Sequence, residues 1–394
     1  MPHLVAIDLP GGPAFVDALR RIWDDGDAAF PLDRRLPPAA RQAVIATIRP
    51  DRMIDERGAH DLDGDGVDEG DALVIATSGT TGPPKGVVLT HEAVTASALA
   101  TSARLAVTAD DVWLACLPLS HVGGLSVVMR AIVTGSGLVV HDAFDTGAVH
   151  EAARRGTTLV SLVATAMRRV DTTLFRTIVL GGSRPPDDLP PNVVTTYGMT
   201  ETGSGVVYDG LGLDGVEVDI DVQGEIRLRC PMLFRAYRDG SSPLVDGWFA
   251  TGDLGELAAD GRLTVFGRRD DMINTGGEKV WPARVEAVIA ADPSVAGVAV
   301  SGVDDEEWGQ RVVAWIVPAD SSRLPTLDSI RSSVGTSLPM YMAPREIRLV
   351  DALPTTSSGK VLRHELSTQR LRSASNDAEQ TFGKDFDPGR SGPR

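Results

Sequence analysis

Residues Thr77-Ser-Gly-Thr-Thr-Gly-Pro-Pro-Lys-Gly-Val87 crowd small hydroxylated side chains, glycines and one ammonium into a single short stretch. Backbone N–H and side-chain O–H donors can converge there on anionic oxygens with few Cβ atoms in the way, which suits a polyphosphate. Thr77, Ser78, Gly79, Thr80, Thr81, Gly82 and Lys85 are therefore candidate phosphate-binding residues. The pattern is not that of a Walker A loop, which closes on Gly-Lys-[Ser/Thr]. Counted from Gly79, that glycine position holds Pro84, and Gly86 follows Lys85. The nucleotide chemistry must differ from that of a P-loop NTPase.

Elements on either side have to position this loop. Leu73–Ala76 before it reads as a buried strand, and from 72 to about 230 apolar runs alternate with helix-like segments such as His91–Arg104 and Gly147–Arg155. Continuously apolar strands separated by helices imply a mostly parallel sheet covered on both faces. From Gly224 to Phe266 short alternating strands with Asp-Gly turns imply an antiparallel section. Residues 271–370 read as a small α+β region with helices near Pro282–Ala290 and Thr326–Ser337. Residues 1–55 show helix-like stretches at Ala14–Trp23 and Ala39–Ile48 but no catalytic motif, and 55–71 reads as an acidic, solvated linker. Within it Asp61-x-Asp63-x-Asp65-Gly66 copies the start of a calcium loop. The bidentate Glu such a loop needs falls on Ala72, so a plain acidic loop is the better reading. The expected organisation is a large α/β domain over 1–269, with mixed and parallel sheets, helices and a β-rich subdomain. A small α+β domain over 270–371 and a disordered tail over 372–394 follow.

The 394 residues carry a net charge of −16, which disfavours duplex nucleic acid as a partner. Cys116 and Cys230 alone make no disulfide framework or cysteine-rich zinc site and fit a reducing cytoplasm. No apolar run is long enough to span a membrane.

Further motifs follow the loop in order: Leu117-Pro-Leu-Ser-His121, Gly181-Gly182, Thr196-Tyr-Gly-Met-Thr-Glu-Thr202 and Thr251-Gly-Asp253. Then come Gly267-Arg-Arg-Asp-Asp-Met-Ile273, Gly276-Gly-Glu-Lys-Val280 and Pro354-Thr-Thr-Ser-Ser-Gly-Lys-Val-Leu-Arg363. The set, across 72–368, resembles the adenylate-forming superfamily of acyl- and aryl-CoA synthetases, adenylation domains and luciferases. That resemblance implies ATP, Mg²⁺ and, as co-substrate, coenzyme A. It places Tyr197 on adenine, Thr200 near the α-phosphate and Glu201 on Mg²⁺, a hard ion suited to carboxylate oxygen. Asp253 and Arg268 would reach the ribose, Gly181 and Gly182 would line adenine and the acyl pocket, and His121 would gate the acyl site. Lys360 would bridge the attacking carboxylate and α-phosphate. Asp270 would be the hinge that exchanges the Lys360 loop for Gly276 and Gly277, which border the pantetheine tunnel.

Superfamily members carry a longer segment ahead of the phosphate loop than this chain does. That shortening, with Thr196–Gly210 and Leu213-Asp-Gly-Val216, resembles the actinobacterial o-succinylbenzoate–CoA ligases of menaquinone biosynthesis. Gly203 and Gly205 would either leave room for a flat ring or make a tight turn. The second carboxylate of such a substrate calls for a basic or donor-rich pocket wall, on a residue the sequence does not single out. A different acyl- or aryl-CoA ligase, an adenylation enzyme loading a carrier protein, and a silent adenylate-binding protein are the alternatives. Homodimers are frequent in the superfamily, and the expected partners are small molecules.

Overall fold

The structure, a computed structural model, describes residues 1–77, 84–186, 188–320, 322–355 and 361–368. The chain divides into two compact units, Met1–Val265 and Phe266–Arg394.

The first unit contains two seven-stranded sheets. Across the first run Ala236–Tyr237, Lys85–Thr90, Asp71–Thr77, Ala28–Pro31, Leu4–Ile7, Arg52–Asp55 and Gly58–Asp61. Leu4–Ile7 pairs in parallel with Ala28–Pro31 and with Arg52–Asp55, whereas Asp71–Thr77 and Lys85–Thr90 form an antiparallel pair. The N-terminal helices form as Pro13–Asp24 and Pro38–Ile48, each with proline in its first turn, where a missing N–H costs nothing. The buried strand that precedes each helix is four residues long, too short for a period to show in the sequence.

The acidic stretch is not a free linker. Gly58–Asp61 pairs with Arg52–Asp55, and Arg238 donates to the carbonyls of Ile48 and Gly66 at 3.0 and 2.8 Å. Arg49 Nε holds Asp65 Oδ2 at 2.7 Å, which occupies the carboxylate a calcium loop would need.

The second sheet runs Leu211–Gly212, Ser204–Tyr208, Val193–Met199, Thr177–Leu180, Leu159–Leu162, Val112–Ala115 and Gly137–Val140. Its strands from Val193–Met199 through Gly137–Val140 are parallel, as the apolar runs imply. One apolar cluster, including Leu73, Leu89, Val94, Trp113, Leu125 and Leu159, joins both sheets to the helices His91–Arg104 and Val122–Thr134. The first helix is legible from its ends: Thr90 Oγ1 caps Ala93 N–H at 3.2 Å, Glu92 sits in the first turn and Arg104 in the last. The second opens on Val122-Gly-Gly without a side-chain cap and is buried along Gly124–Ala131, so it shows no polar face to read. An antiparallel sheet of Glu217–Ile220, Glu225–Arg229, Trp248–Leu257 and Leu244–Val245 completes the unit, with Leu263–Arg268 pairing to Trp248–Leu257.

In the second unit a five-stranded sheet is built on the long hairpin Val295–Asp305 and Gly309–Pro318. The helices Pro282–Ile289 and Leu327–Ser337 bury Val285, Ile289, Ile330 and Val334 with Ile273, Val300 and Val312 of the sheet.

Candidate active site

The phosphate-loop candidates Ser78, Gly79, Thr80, Thr81 and Gly82 lie outside the described residues, but both ends of their loop are defined. Thr77 pairs with Lys85 across the hairpin, and Thr77 Oγ1 donates to Lys85 O at 3.3 Å. Lys85 Nζ stands 4.8 Å from the centre of the Tyr237 ring. The Tyr237 hydroxyl in turn donates to Glu201 Oε1 at 3.0 Å. The fold therefore joins the loop cation to the carboxylate of the Thr200–Thr202 turn through an aromatic residue that no motif marked.

That turn follows the strand Val193–Met199. Thr202, fully buried, accepts from Met199 N–H at 2.9 Å, and its hydroxyl lies 2.7 Å from Ser204 O as donor, so the turn presenting Thr200 and Glu201 is pinned from below. The two glycines after it answer backbone demands. Gly203 sits at φ 65°, and a Cβ on Gly205 would lie 2.8 Å from Thr196 Cβ, which favours the tight-turn reading over room for a ring. Tyr197 lies beside Asp253, its hydroxyl donating to Asp253 Oδ2 at 2.9 Å. Asp253 is 8% exposed and sits on Trp248–Leu257, so two candidate nucleotide contacts from different sheets meet here.

His121 precedes the helix Val122–Thr134, with Nε2 3.5 Å from Asp33 Oδ2. Burial alone would raise the Asp33 pKa. Bonds from Arg35, whose Nε and Nη2 both reach Asp33 at 2.8 Å, together with the nearby His121 ring outweigh it and hold the carboxyl well below the usual range. Two turns further along the same helix lies Arg130, only 2% exposed. Its guanidinium donates to Ser204 Oγ at 2.6 Å and Ser161 Oγ at 3.4 Å and covers the Trp113 ring at 5.1 Å. Arg130 Nε has no partner, and among the described residues no carboxylate pairs with this cation. Burial pulls its pKa below the ordinary value. A buried, unpaired cation is costly unless something anionic joins it. Gly181 and Gly182 follow the strand Thr177–Leu180, with Gly181 N–H bonded to Leu162 O at 3.2 Å, and a Cβ on Gly181 would meet Thr196 Oγ1 at 2.7 Å.

In the second unit Arg268 ends the strand Leu263–Arg268, and Asp270 lies exposed in the turn Arg269–Asp271. Gly276 and Gly277 join Ile273–Thr275 to Glu278–Val280, and Gly276 N–H donates to Trp308 O at 2.8 Å. Lys360 lies outside the described residues; Thr355 and Val361 bridge the base of its loop.

Among the described residues no group of three or more His, Cys, Asp or Glu could hold a metal ion unaided. A lone carboxylate such as Glu201 fits Mg²⁺, which keeps water and phosphate oxygens as its other ligands. Donors around a hairpin loop, one such carboxylate, and a Tyr–Asp pair together suit a nucleotide that loses pyrophosphate.

Comparison with known proteins agrees with this geometry. A family model described as AMP-binding enzyme matches residues 61–237, and one described as AMP-binding enzyme C-terminal domain matches 284–360. The chain belongs to the AMP-binding enzyme family, the adenylate-forming group. It is 37% identical over 390 residues to a probable 2-succinylbenzoate–CoA ligase of Mycobacterium tuberculosis, covering 92% of this chain and 97% of that protein. A 2-succinylbenzoate–CoA ligase of Bacillus cytotoxicus is 35% identical over 334 residues, 74% of this chain and 69% of its own. Among solved structures, the o-succinylbenzoate CoA synthetase of Bacillus subtilis in complex with its acyl-adenylate intermediate superposes with a TM-score of 0.84. Their identity is 28%, over 94% of this chain and 89% of that one. The same enzyme with ATP and magnesium ion gives 0.83 at 28% identity, over 93% and 89% of the two chains.

Proposed function

We propose that this enzyme is an ATP-dependent, AMP-forming acid–CoA ligase that activates 2-succinylbenzoate for menaquinone biosynthesis. A carboxylate oxygen of the acid attacks the α-phosphorus of ATP, the bond to pyrophosphate breaks, and an acyl adenylate forms. The CoA thiol, losing its proton, then attacks the acyl carbon and AMP departs. Two anions must meet in the first step, so the protein's work is positioning and neutralising charge.

Lys85 and the loop that it closes hold the β- and γ-phosphates. Tyr197 faces adenine, Asp253 and Arg268 take the ribose hydroxyls, and Thr200 lies at the α-phosphate. Mg²⁺, when bound, offsets phosphate charge, and Glu201 would supply it with one oxygen. Lys360 steadies the attacking carboxylate during adenylation. Asp270 then lets the second unit turn, so that Gly276 and Gly277 border the thiol's path. Dimerisation would be compatible with this scheme.

The observation that carries the choice of acid is Arg130. A substrate with a second carboxylate, on its ring, supplies the anion this buried guanidinium lacks. The relatives' names support the same acid. Incubation with 2-succinylbenzoate, ATP, Mg²⁺ and CoA should yield the thioester, AMP and pyrophosphate in equal amounts. Absence of pyrophosphate release with this acid and with a broad panel of others would refute the proposal.

A further inference from the structure

We propose that Tyr237 is a positioning residue for the metal–triphosphate end of the site, an assignment that rests on the function proposed above. Its two groups do separate work: the hydroxyl fixes the Glu201 carboxylate for Mg²⁺, and the ring seats the Lys85 ammonium.

The geometry begins with the backbone. The short strand Ala236–Tyr237 pairs with Lys85–Thr90, with Tyr237 opposite Val87. Lys85 and Val87 lie on one face of their strand, so Tyr237 and Lys85 are diagonal neighbours within reach of long side chains. That places the ring under the ammonium at 4.8 Å. Backbone bonds secure the segment on both sides: Phe234 N–H donates to Glu201 O at 2.8 Å, and Tyr237 N–H donates to Ser241 O at 2.8 Å. The ring packs 4.9 Å from Phe234, which is itself 5.3 Å from Phe249. Tyr237 thus has little freedom to follow its partners, and they are oriented by it.

The consequence concerns opposite charges. Lys85 and Glu201 share one aromatic neighbour, and a direct ion pair between them would occupy the groups that should meet phosphate and metal. Tyr237 offers each a weaker partner. A carboxylate has two oxygens and about four lone-pair sites. The hydroxyl occupies one oxygen, Oε1, and leaves Oε2 for the ion that arrives with the nucleotide. The ring holds the cation by its π face, without a counter-charge that phosphate would have to displace.

Equilibrium binding of ATP by calorimetry, with Mg²⁺ and with a chelator, separates the two roles. Tyr237→Phe should bind metal-free ATP like the parent and lose about tenfold of the Mg²⁺-dependent gain, the size of one hydrogen bond to a charged group. Tyr237→Leu should lose that gain and also bind metal-free ATP about two- to fivefold more weakly, the worth of a cation–π contact. Both variants should convert a supplied acyl adenylate and CoA to thioester at the parental rate, since that step uses neither triphosphate nor Mg²⁺, and this shows that they are folded. An unchanged Mg²⁺ gain in Tyr237→Phe would overturn the assignment. So would equal weakening with and without the metal, which marks a merely structural residue. A parent protein that binds no ATP would sink the functional reading and this assignment together, whereas an unaffected Tyr237→Phe sinks the assignment alone.

Discussion

Replacing Arg130 by methionine tests the choice of acid, because the structure makes opposite demands on stability and on catalysis. The guanidinium is 2% exposed and bonded to Ser204 and Ser161 hydroxyls, with no carboxylate beside it among the described residues. Removing a buried charge in favour of an apolar side chain of similar length is commonly neutral or stabilising. Thermal unfolding of Arg130→Met should therefore occur at the parental temperature or above it. Catalysis should move the other way. Truncating one partner of a buried charge pair costs about 2–5 kcal/mol. Taking about 3 kcal/mol, kcat/KM for 2-succinylbenzoate should fall about 150-fold. The control is 4-oxo-4-phenylbutanoate, the same acid without its ring carboxylate. For it the substitution should change kcat/KM by less than about threefold, since no charged partner is lost. Pyrophosphate release measured on both acids gives the comparison. An equal fall for the two acids, or a clear drop in melting temperature, would show that Arg130 only holds the helix Val122–Thr134 against its neighbours.

Other expectations follow from the same site. Asp253→Asn weakens an ionised acceptor and should lower kcat/KM for ATP about 10- to 100-fold, with KM for the acid little changed, in an ATP–pyrophosphate exchange assay. Lys360→Ala should lose most adenylation yet keep thioester formation from a supplied acyl adenylate; equal loss of both half-reactions would refute the division of labour. Asp33 has a folded pKa below its unfolded value, so its stabilisation is complete above about pH 4 and fades as pH falls through the lower folded pKa. Asp33→Asn should consequently depress the melting temperature at pH 7 and do so less at pH 3. A difference that grows with acidity would contradict this sign.

The family was legible in the sequence because its motifs are short runs of restricted residue types in a fixed order. The helix His91–Arg104 was legible because Thr90, Glu92 and Arg104 mark its ends. Less could be read where tertiary contacts decide. Leu4–Ile7 and Ala28–Pro31 become strands by pairing with each other and with Arg52–Asp55 and Asp71–Thr77, and Val122–Thr134 is a helix despite its glycines because the second sheet and the helix His91–Arg104 bury it. The charge of residues 55–71 reads as solvation, and Gly58–Asp61 is exposed; what the charge does not show is that Arg238 reaches the segment from far along the chain. The residues that no motif marked share this origin. Tyr237 acquires its meaning from Glu201 and Lys85, Arg130 from Ser204 and Ser161, and Asp33 from His121; none of these pairings lies within a local window. Gly203 and Gly205 show the converse, since steric need at the turn accounts for both.

The bond between Tyr197 and Asp253 has a bearing on turnover. An empty nucleotide cleft with a bare interior carboxylate would draw in stray cations or collapse. If Asp253 takes the ribose as proposed, the phenol keeps that acceptor occupied between cycles, so incoming ribose exchanges one partner for others rather than filling a void. Such an exchange yields only about 1 kcal/mol per bond. In that scheme AMP, without the phosphates that anchor ATP, would be held weakly enough to leave, with the tyrosine resuming its place.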